Sequence, residues 1–377
     1  MSSPAQRVPT YDSLGVRPLV NCRGTLTIIG GSLMLPEVVE AMGEASRRFV
    51  NLEELMEAVG ARLAELLQVE WGLVTSGCAA ALCQITAACV AGRDPDKIDR
   101  LPDTTGMKDQ VVVPAGQRHG YDLAIRMVGV EIVEVESREE LAAAVGDRTA
   151  MFALKGNICD HGPISIADLV RVGRPLGIPI LVDTAAERPE IPNRYLAAGA
   201  DAVAYSGGKC IRGPQSSGLV VGRRELLETA FLNGCPHHSL GRPMKAGKEE
   251  IMGLLTAVEQ WVRRDHTAEW RDWKDWLGHI ADSVSRFPSF TTDIADPTTR
   301  ADMSQCLAIE WDPDELNIRP AELTAQLAGG EPRIEVAGSE RGIAIMAYTL
   351  EPGEDQVIAN RICQILATAS GRTEVLA

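Results

Sequence analysis

The sequence predicts an α/β protein: a large domain built on a doubly wound sheet, followed by a smaller α+β domain. Two observations carry that expectation. From residue 70 onward, short apolar runs rich in β-branched residues alternate with helix-like stretches, the order that builds a parallel sheet with helices on both faces. The length, 377 residues, exceeds one ordinary domain and suits a large unit plus a small one. Hydrophobic residues at 45% and charged residues at 24%, with 35 Gly and 21 Pro, describe a globular chain with many turns and exclude collagen, coiled coil and disorder.

Residues 1–50 read as an N-terminal arm with helical periodicity at 36–49, and a second helix is expected at 52–67. The large domain, 51–260, carries candidate strands at 71–74, 110–113, 131–135, 150–154, 179–183, 202–206 and 219–221. Each is a run such as Val111-Val112-Val113 or Ile180-Leu181-Val182, bounded by turn residues and too short for a helix. Helices are expected between them at 78–91, 122–127, 138–145, 166–176 and 193–198, while the Asp- and Pro-bearing stretch 92–108 reads as a polar surface insertion. From 248 to about 286 a charged, Trp-bearing stretch reads as one long helix, and the boundary falls within or just after it. Residues 261–377 then hold the end of that helix and the small domain, with strands at 306–311 and 342–347 and helices at 320–328 and 354–368. No internal repeat is visible.

Charge and cysteine usage narrow the function. Lys and Arg number 37 against 52 Asp and Glu, a net charge of −15, the opposite of a nucleic-acid binder's footprint. No run of 18 apolar residues occurs and the N-terminus has no basic segment followed by an apolar one, so neither a membrane span nor a signal peptide is expected, and the protein is placed in the cytoplasm. Nine Cys without a CxxC pair argue for reduced, packed thiols rather than a disulfide framework or a zinc site.

Three segments at strand ends can carry chemistry. Thr75-Ser76-Gly77-Cys78 follows a strand and opens a helix, and small residues there leave backbone N–H groups free for a phosphate. Any tight strand-to-helix turn uses the same residues. Next, Ile180-Leu181-Val182-Asp183 is a hydrophobic strand ending in a carboxylate, which belongs either in the ligand crevice at the strand ends or in a helix cap. Finally, Ser206-Gly207-Gly208-Lys209 ends another strand and presents an amine among glycines that let a flat ligand approach, which suits Schiff-base chemistry. A solvated loop lysine is the commoner fate. The combination decides between these readings: a phosphate cradle, a strand-end acid, and 26 residues later (209 − 183) a Ser-x-x-Lys at the next strand end.

At these residues, and in segments such as VNCRGTLTIIGGSLM, VTSGCAAAL, LVDTAAE and YSGGKCIRGPQSSGLVVG, the chain resembles the fold-type-I pyridoxal phosphate enzymes. Within them it is most similar to the group related to selenocysteine synthase (seryl-tRNA selenium transferase) and to its subgroup of D-glucosaminate-6-phosphate ammonia-lyases. The resemblance runs from about Val20 to the C-terminus. It implies the PLP-dependent transferase fold of aspartate aminotransferase, with pyridoxal 5′-phosphate as cofactor. Lys209 would carry the cofactor as a Schiff base and serve as general base, and Asp183 would hold the ring nitrogen protonated. Ser76, Gly77 and Cys78 would bind the phosphate, with the Ser206 hydroxyl closing the cradle. His119 would stack on the ring, against the alternative of a core or surface histidine. Asn157 would reach the ring hydroxyl, or else form a turn. Arg212 and Gln215 follow Lys209 closely enough to share a substrate pocket, and Arg23, Arg333 or Arg341 would clamp a carboxylate, although each is also a candidate surface ion pair.

Other features point less far. His237-His238 has no carboxylate at ligand spacing, so a metal site is not expected. Trp261, Trp270, Trp273 and Trp276 are spaced as one helix face and read as packing rather than as nucleic-acid stacking. Glu187 either orients a substrate or caps a helix. The resemblance implies a lyase that abstracts the α proton of a small anionic amino acid or amino sugar acid and completes an α,β-elimination. The alternatives are a selenium or sulfur transferase, β-replacement, aldol cleavage or racemisation in the same fold. It also implies a homodimer or larger homo-oligomer, and no nucleic-acid or membrane partner. Seryl-tRNA is disfavoured as substrate, because the transferases carry an additional N-terminal tRNA-binding region and this chain enters the core motif by about residue 20.

Overall fold

Apolar strand runs and helix stripes sort the chain into two compact units in the computed structural model, which describes residues 8–159, 161–287 and 290–371. The strands among these residues are β1 (Leu19–Asn21), β2 (Trp71–Thr75), β3 (Gln110–Pro114), β4 (Glu131–Val135), β5 (Thr149–Lys155), β6 (Ile180–Asp183), β7 (Ala202–Ser206), β8 (Gly218–Gly222), β9 (Phe290–Ala295), β10 (Cys306–Trp311), β11 (Arg333–Glu335), β12 (Ala337–Gly338) and β13 (Gly342–Met346).

The large unit spans Gly30–Arg264 with Thr298–Met303. Its seven-stranded sheet has the order β2-β8-β7-β6-β5-β3-β4. The expected all-parallel sheet needs one correction: β8 runs antiparallel to both β7 and β2. The cause is local, since only residues 207–217 join β7 to β8, and they contain no crossover helix to return the chain for a parallel strand. Because β8 is inverted between them, β2 and β7 point the same way, and the C-terminal ends of β2, β7, β6, β5 and β3 lie along one edge of the sheet. Ser206, Gly218 and Thr75 form one row across that edge. Helix Cys78–Ala91 is apolar nearly all round and buried at almost every position, as a helix packed across β5 to β8 must be.

The small unit comprises Met1–Ile29, Asp265–Pro297 and Ser304–Ala377. Its antiparallel sheet β12-β13-β10-β9 packs against helices His266–Val284 and Glu354–Ala369 around Leu277, Ile280, Leu307, Ile345 and Ile358. A parallel pair, β1 with β11, ties residues 1–29 to this unit. The expected arm over 1–50 is therefore divided: residues from Gly30 belong to the large unit, where helix Pro36–Ser46 lies on helix Lys248–Arg263.

The expected long helix is two helices, Lys248–Arg263 and His266–Val284. Arg264 adopts an extended conformation, and the Asp265 carboxylate accepts from the Thr267 and Ala268 N–H groups to start the second helix. The tryptophans accordingly do not share one helix face. Trp261 is buried in the large unit with its indole N–H donating to Pro189 O (3.1 Å), whereas Trp273 and Trp276 pack on the small unit's core. The expected insertion contains helix Pro95–Arg100, capped by Asp94. No helix among the described residues is long and apolar enough to cross a membrane.

Candidate functional site

The strand edge carrying Thr75, Lys155, Asp183 and Ser206 gathers most of the residues singled out from the sequence. Helix Cys78–Ala91 starts at Gly77, whose φ of 127° suits glycine and whose missing Cβ leaves open space, with nothing within 4 Å of where it would stand. No side chain caps this helix, so its first N–H groups and their partial positive charge face that opening. Across the sheet, a Cβ on Gly218 would lie 2.5 Å from the Gly77 carbonyl carbon and 2.6 Å from Thr75 Oγ1. Glycine at 218 is what lets β8 press against the cradle.

Asp183 stands at the centre. One carboxylate oxygen, Oδ1, accepts from the Ala185 N–H (3.0 Å) and from the Cys78 thiol (3.4 Å). The other, Oδ2, lies 3.5 Å from His119 Nε2, and both side chains are mostly shielded, at 11% and 19% exposure. His119 thus sits beside the acid. The side chain of Cys78 does not face the cradle: burial, then the adjacent Asp183 carboxylate, push its thiol well up, so it serves as a neutral donor to the acid. Any phosphate contact from Cys78 is through its backbone. Lys209 lies in the turn 207–217 that follows β7, three residues beyond Ser206.

Asn157 lies in the turn Gly156–Ile158, directly after β5 and beside the end of β6, where Lys155 is the cross-strand partner of Asp183. Ser206 is half-buried at the end of β7, its N–H donating to Ala185 O (3.3 Å). Arg212 and Gln215 do something other than expected. Arg212 Nε donates to Leu33 O (3.0 Å), and Gln215 Nε2 donates to Ser32 O (2.9 Å) and Gly208 O (3.0 Å). They brace residues 32–35 over the lysine loop, helped by the left-handed backbone of Arg212 (φ 60°). In the small unit, Arg23 (3.8 Å) and Arg333 (2.9 Å) share Glu335, an arrangement with one positive charge in excess. Arg341 is a surface residue at 79% exposure, paired with Glu310 at 2.8 Å.

Sequence reasoning missed a second polar group at this edge and half-weighed its centre, Glu187. This carboxyl is 4% exposed; Oε2 accepts from the Tyr195 hydroxyl (2.7 Å), which in turn accepts from Arg300 Nη1 (3.3 Å), while Oε1 has no partner. Burial pushes its pKa from the ordinary 4.5 up to about 7, against the opposing pull of the Tyr195 hydrogen bond and of Arg300. No spacing rule links residues 187, 195 and 300. Gln117 was also missed. Its Oε1 accepts from the Lys155 N–H (2.9 Å), whereas Nε2 is buried without a partner beside a cavity that His119 and Asp183 also line.

These groups fit a flat, polar cofactor. An uncapped helix end with room in front of it suits a phosphate, Asp183 suits a protonated ring nitrogen, and Lys209 suits a carbonyl carbon. The unpartnered buried atoms Gln117 Nε2, Glu187 Oε1 and Ser32 Oγ all belong to segments at this edge, where ligand polar groups would satisfy them. Among the described residues no cluster of three or more His, Cys, Asp or Glu is placed to hold a metal ion.

Comparisons with known proteins find relatives that align over nearly the whole chain. A D-glucosaminate-6-phosphate ammonia lyase of Salmonella typhimurium is 30% identical over 377 aligned residues, covering 96% of this chain and 98% of that protein. A 5′-C-glycyluridine monooxygenase-decarboxylase of a Streptomyces species is 29% identical, covering 96% and 93%. A seryl-tRNA(Sec) selenium transferase of Klebsiella pneumoniae is 27% identical over 66% of this chain and 57% of its own length. The solved structure of a D-glucosaminate-6-phosphate ammonia-lyase superposes with a TM-score of 0.83 at 28% identity, covering 97% of this chain and 100% of that one. A serine palmitoyltransferase holding pyridoxal phosphate on its lysine shares the fold at a TM-score of 0.56 and 16% identity. No protein-family model matches the chain.

Glu187 makes stability depend on pH with a definite sign. The unfolded chain ionises this carboxyl above about pH 4.5, whereas the folded protein keeps the proton until about pH 7, so the stabilisation is full below the lower value and is lost as pH rises through the upper one. The loss is on the order of 3 kcal/mol. Urea unfolding between pH 5 and 8.5 should show a falling midpoint in the wild type and a flatter profile in Glu187→Gln. Parallel profiles would show that Glu187 is not the group responsible.

Proposed function

The chain belongs to the family of fold-type-I pyridoxal phosphate enzymes that includes D-glucosaminate-6-phosphate ammonia lyase, and from that premise we propose that it is a lyase acting on an amino sugar acid or a similar small anionic amino acid. The observation that carries this reading is the convergence of Asp183, His119 and the open end of helix Cys78–Ala91 on the edge that presents Lys209, in a chain that aligns end to end with an ammonia lyase.

Pyridoxal phosphate, when bound, supplies an electron sink that stabilises charge on the substrate's α carbon. The protein's residues do the rest. Lys209 Nζ would hold the cofactor's carbonyl carbon and would serve as the base for the substrate's α proton. The Asp183 carboxylate would accept a hydrogen bond from a protonated ring nitrogen, and its shielding from water would strengthen that bond. The Ala185 N–H and the Cys78 thiol orient the carboxylate by donating to its other oxygen. His119 would lie beside the ring, and the N–H groups of residues 76–78 would hold the phosphate. Within the small unit, Arg23 and Arg333 share Glu335, which neutralises only one of their two charges and leaves that pair suited to an anion.

A second reading is supported by the Streptomyces relative, named as a monooxygenase-decarboxylase, at nearly the same identity and coverage. Incubating the purified protein with a panel of amino acids and amino sugar acids separates the two. Keto acid and ammonia in equal amounts are expected from at least one amino sugar acid, falling on the order of 10²-fold in Asp183→Asn, which spares packing but weakens the hold on the ring nitrogen. Oxygen uptake with carbon dioxide release, and no keto acid, would favour the second reading.

The protein is further proposed to work as a homodimer or larger assembly. Leu33, Val39, Phe49 and Val50 of the large unit are exposed, Phe49 completely, an apolar surface of the kind that oligomers cover. Sedimentation should give at least twice the chain mass of 40.6 kDa, and a fully active monomer would refute the assembly.

A further inference from the structure

We propose that Glu187 is a ligand-binding donor of the cofactor site: it keeps a proton on Oε1 and gives that hydrogen bond to an oxygen of the ligand lodged at the Gly156 turn. This rests on the reading of the strand edge as a pyridoxal phosphate site. Four observations lead to it. The carboxyl is buried to 4% exposure, yet only Oε2 is engaged, by Tyr195. Buried polar atoms are nearly always paired, so an unpaired carboxyl oxygen at a ligand-binding edge marks a bond that the ligand completes. Its position is defined: a Cβ on Gly156 would sit 2.3 Å from Oε1 and 2.6 Å from Thr184 Cγ2, so the carboxyl packs directly against the turn that presents Asn157. The main chain of Glu187 is tied to the lysine loop as well, since the Cys210 thiol donates to Glu187 O (3.2 Å).

The surroundings favour a neutral carboxyl that can ionise at modest cost. Among the described residues the groups that act on it are Glu190 on its own loop, Arg194 and Tyr195 from helix Arg194–Ala197, Tyr205 from β7 and Arg300 from residues 298–303. Burial and Glu190 hold the proton on, while Tyr195, Arg300 and Arg194 oppose them, and the balance falls near neutrality. A ligand oxygen that accepts from Oε1 tips this balance toward the protonated form, so ligand binding and proton uptake are linked.

The test is equilibrium binding of pyridoxal phosphate to the full chain after removal of cofactor with hydroxylamine, between pH 6 and 9. In Glu187→Gln the amide supplies a permanent N–H where Oε1 stands. The ratio of wild-type to Glu187→Gln dissociation constants should be near one at pH 6 and rise about tenfold per pH unit above pH 7. Tyr195→Phe, which removes the donor to the charged form, should move the break to higher pH and keeps the test open if the glutamine variant does not fold. Calorimetry in buffers of different ionisation enthalpy at pH 8 should show wild type taking up close to one proton more than Glu187→Gln on binding. A ratio that stays constant with pH, or equal proton counts, would overturn the role of Glu187. Borohydride trapping at Lys209 serves as the control: a retained trap with a flat ratio removes only this inference, whereas loss of the trap removes the reading of the site itself.

Discussion

The contact on which the site depends is the one between two glycine backbones, Gly218 on β8 and Gly77 at the start of helix Cys78–Ala91. They approach so closely that a single added carbon at 218 would overlap the Gly77 carbonyl carbon at 2.5 Å. That approach is possible because β8 is an inverted strand inserted between β2 and β7. Without the inversion, the helix end that suits a phosphate and the strand that leads into the Lys209 turn would not open on the same edge. The geometry therefore follows from topology first and from two missing side chains second.

Around that frame the chemistry is one of paired and unpaired carboxylates. Asp183 is surrounded by donors, the Ala185 N–H and the Cys78 thiol, with His119 alongside. Glu187, four residues on, is buried with one donor and one empty oxygen and is built to hold its proton until about pH 7. Two carboxyls on one strand-and-loop segment thus divide their tasks by environment rather than by residue type.

Much of this was legible in the sequence. Asp183 and Lys209 could be read because a hydrophobic run ending in a polar residue marks the strand end, which is where an open α/β sheet places its ligand. The bond from Cys78 to Asp183 spans 105 residues, and that from Arg300 to Tyr195 likewise, so no spacing pattern announces either. Arg212 and Gln215 follow Lys209 closely enough to share its pocket, whereas their hydrogen bonds to the backbone of Leu33 and Ser32 cross 179 and 183 residues and show in no spacing. The break at Arg264 was hidden because helical periodicity continues on both sides of it, and only the capping carboxylate of Asp265 hints at a new start. Strands β1, β11 and β12 have three residues or fewer, too short to show a period, while β9 alternates with Thr and Asp.

The central claim is that Lys209 carries the cofactor. Reducing the purified, cofactor-loaded protein with borohydride and mapping its peptides tests this most directly. The label should lie on the peptide containing Lys209 and be absent from Lys209→Ala, even where that variant still retains pyridoxal phosphate through its phosphate group. A label on Lys155 or Lys245, or none at all, would contradict the account.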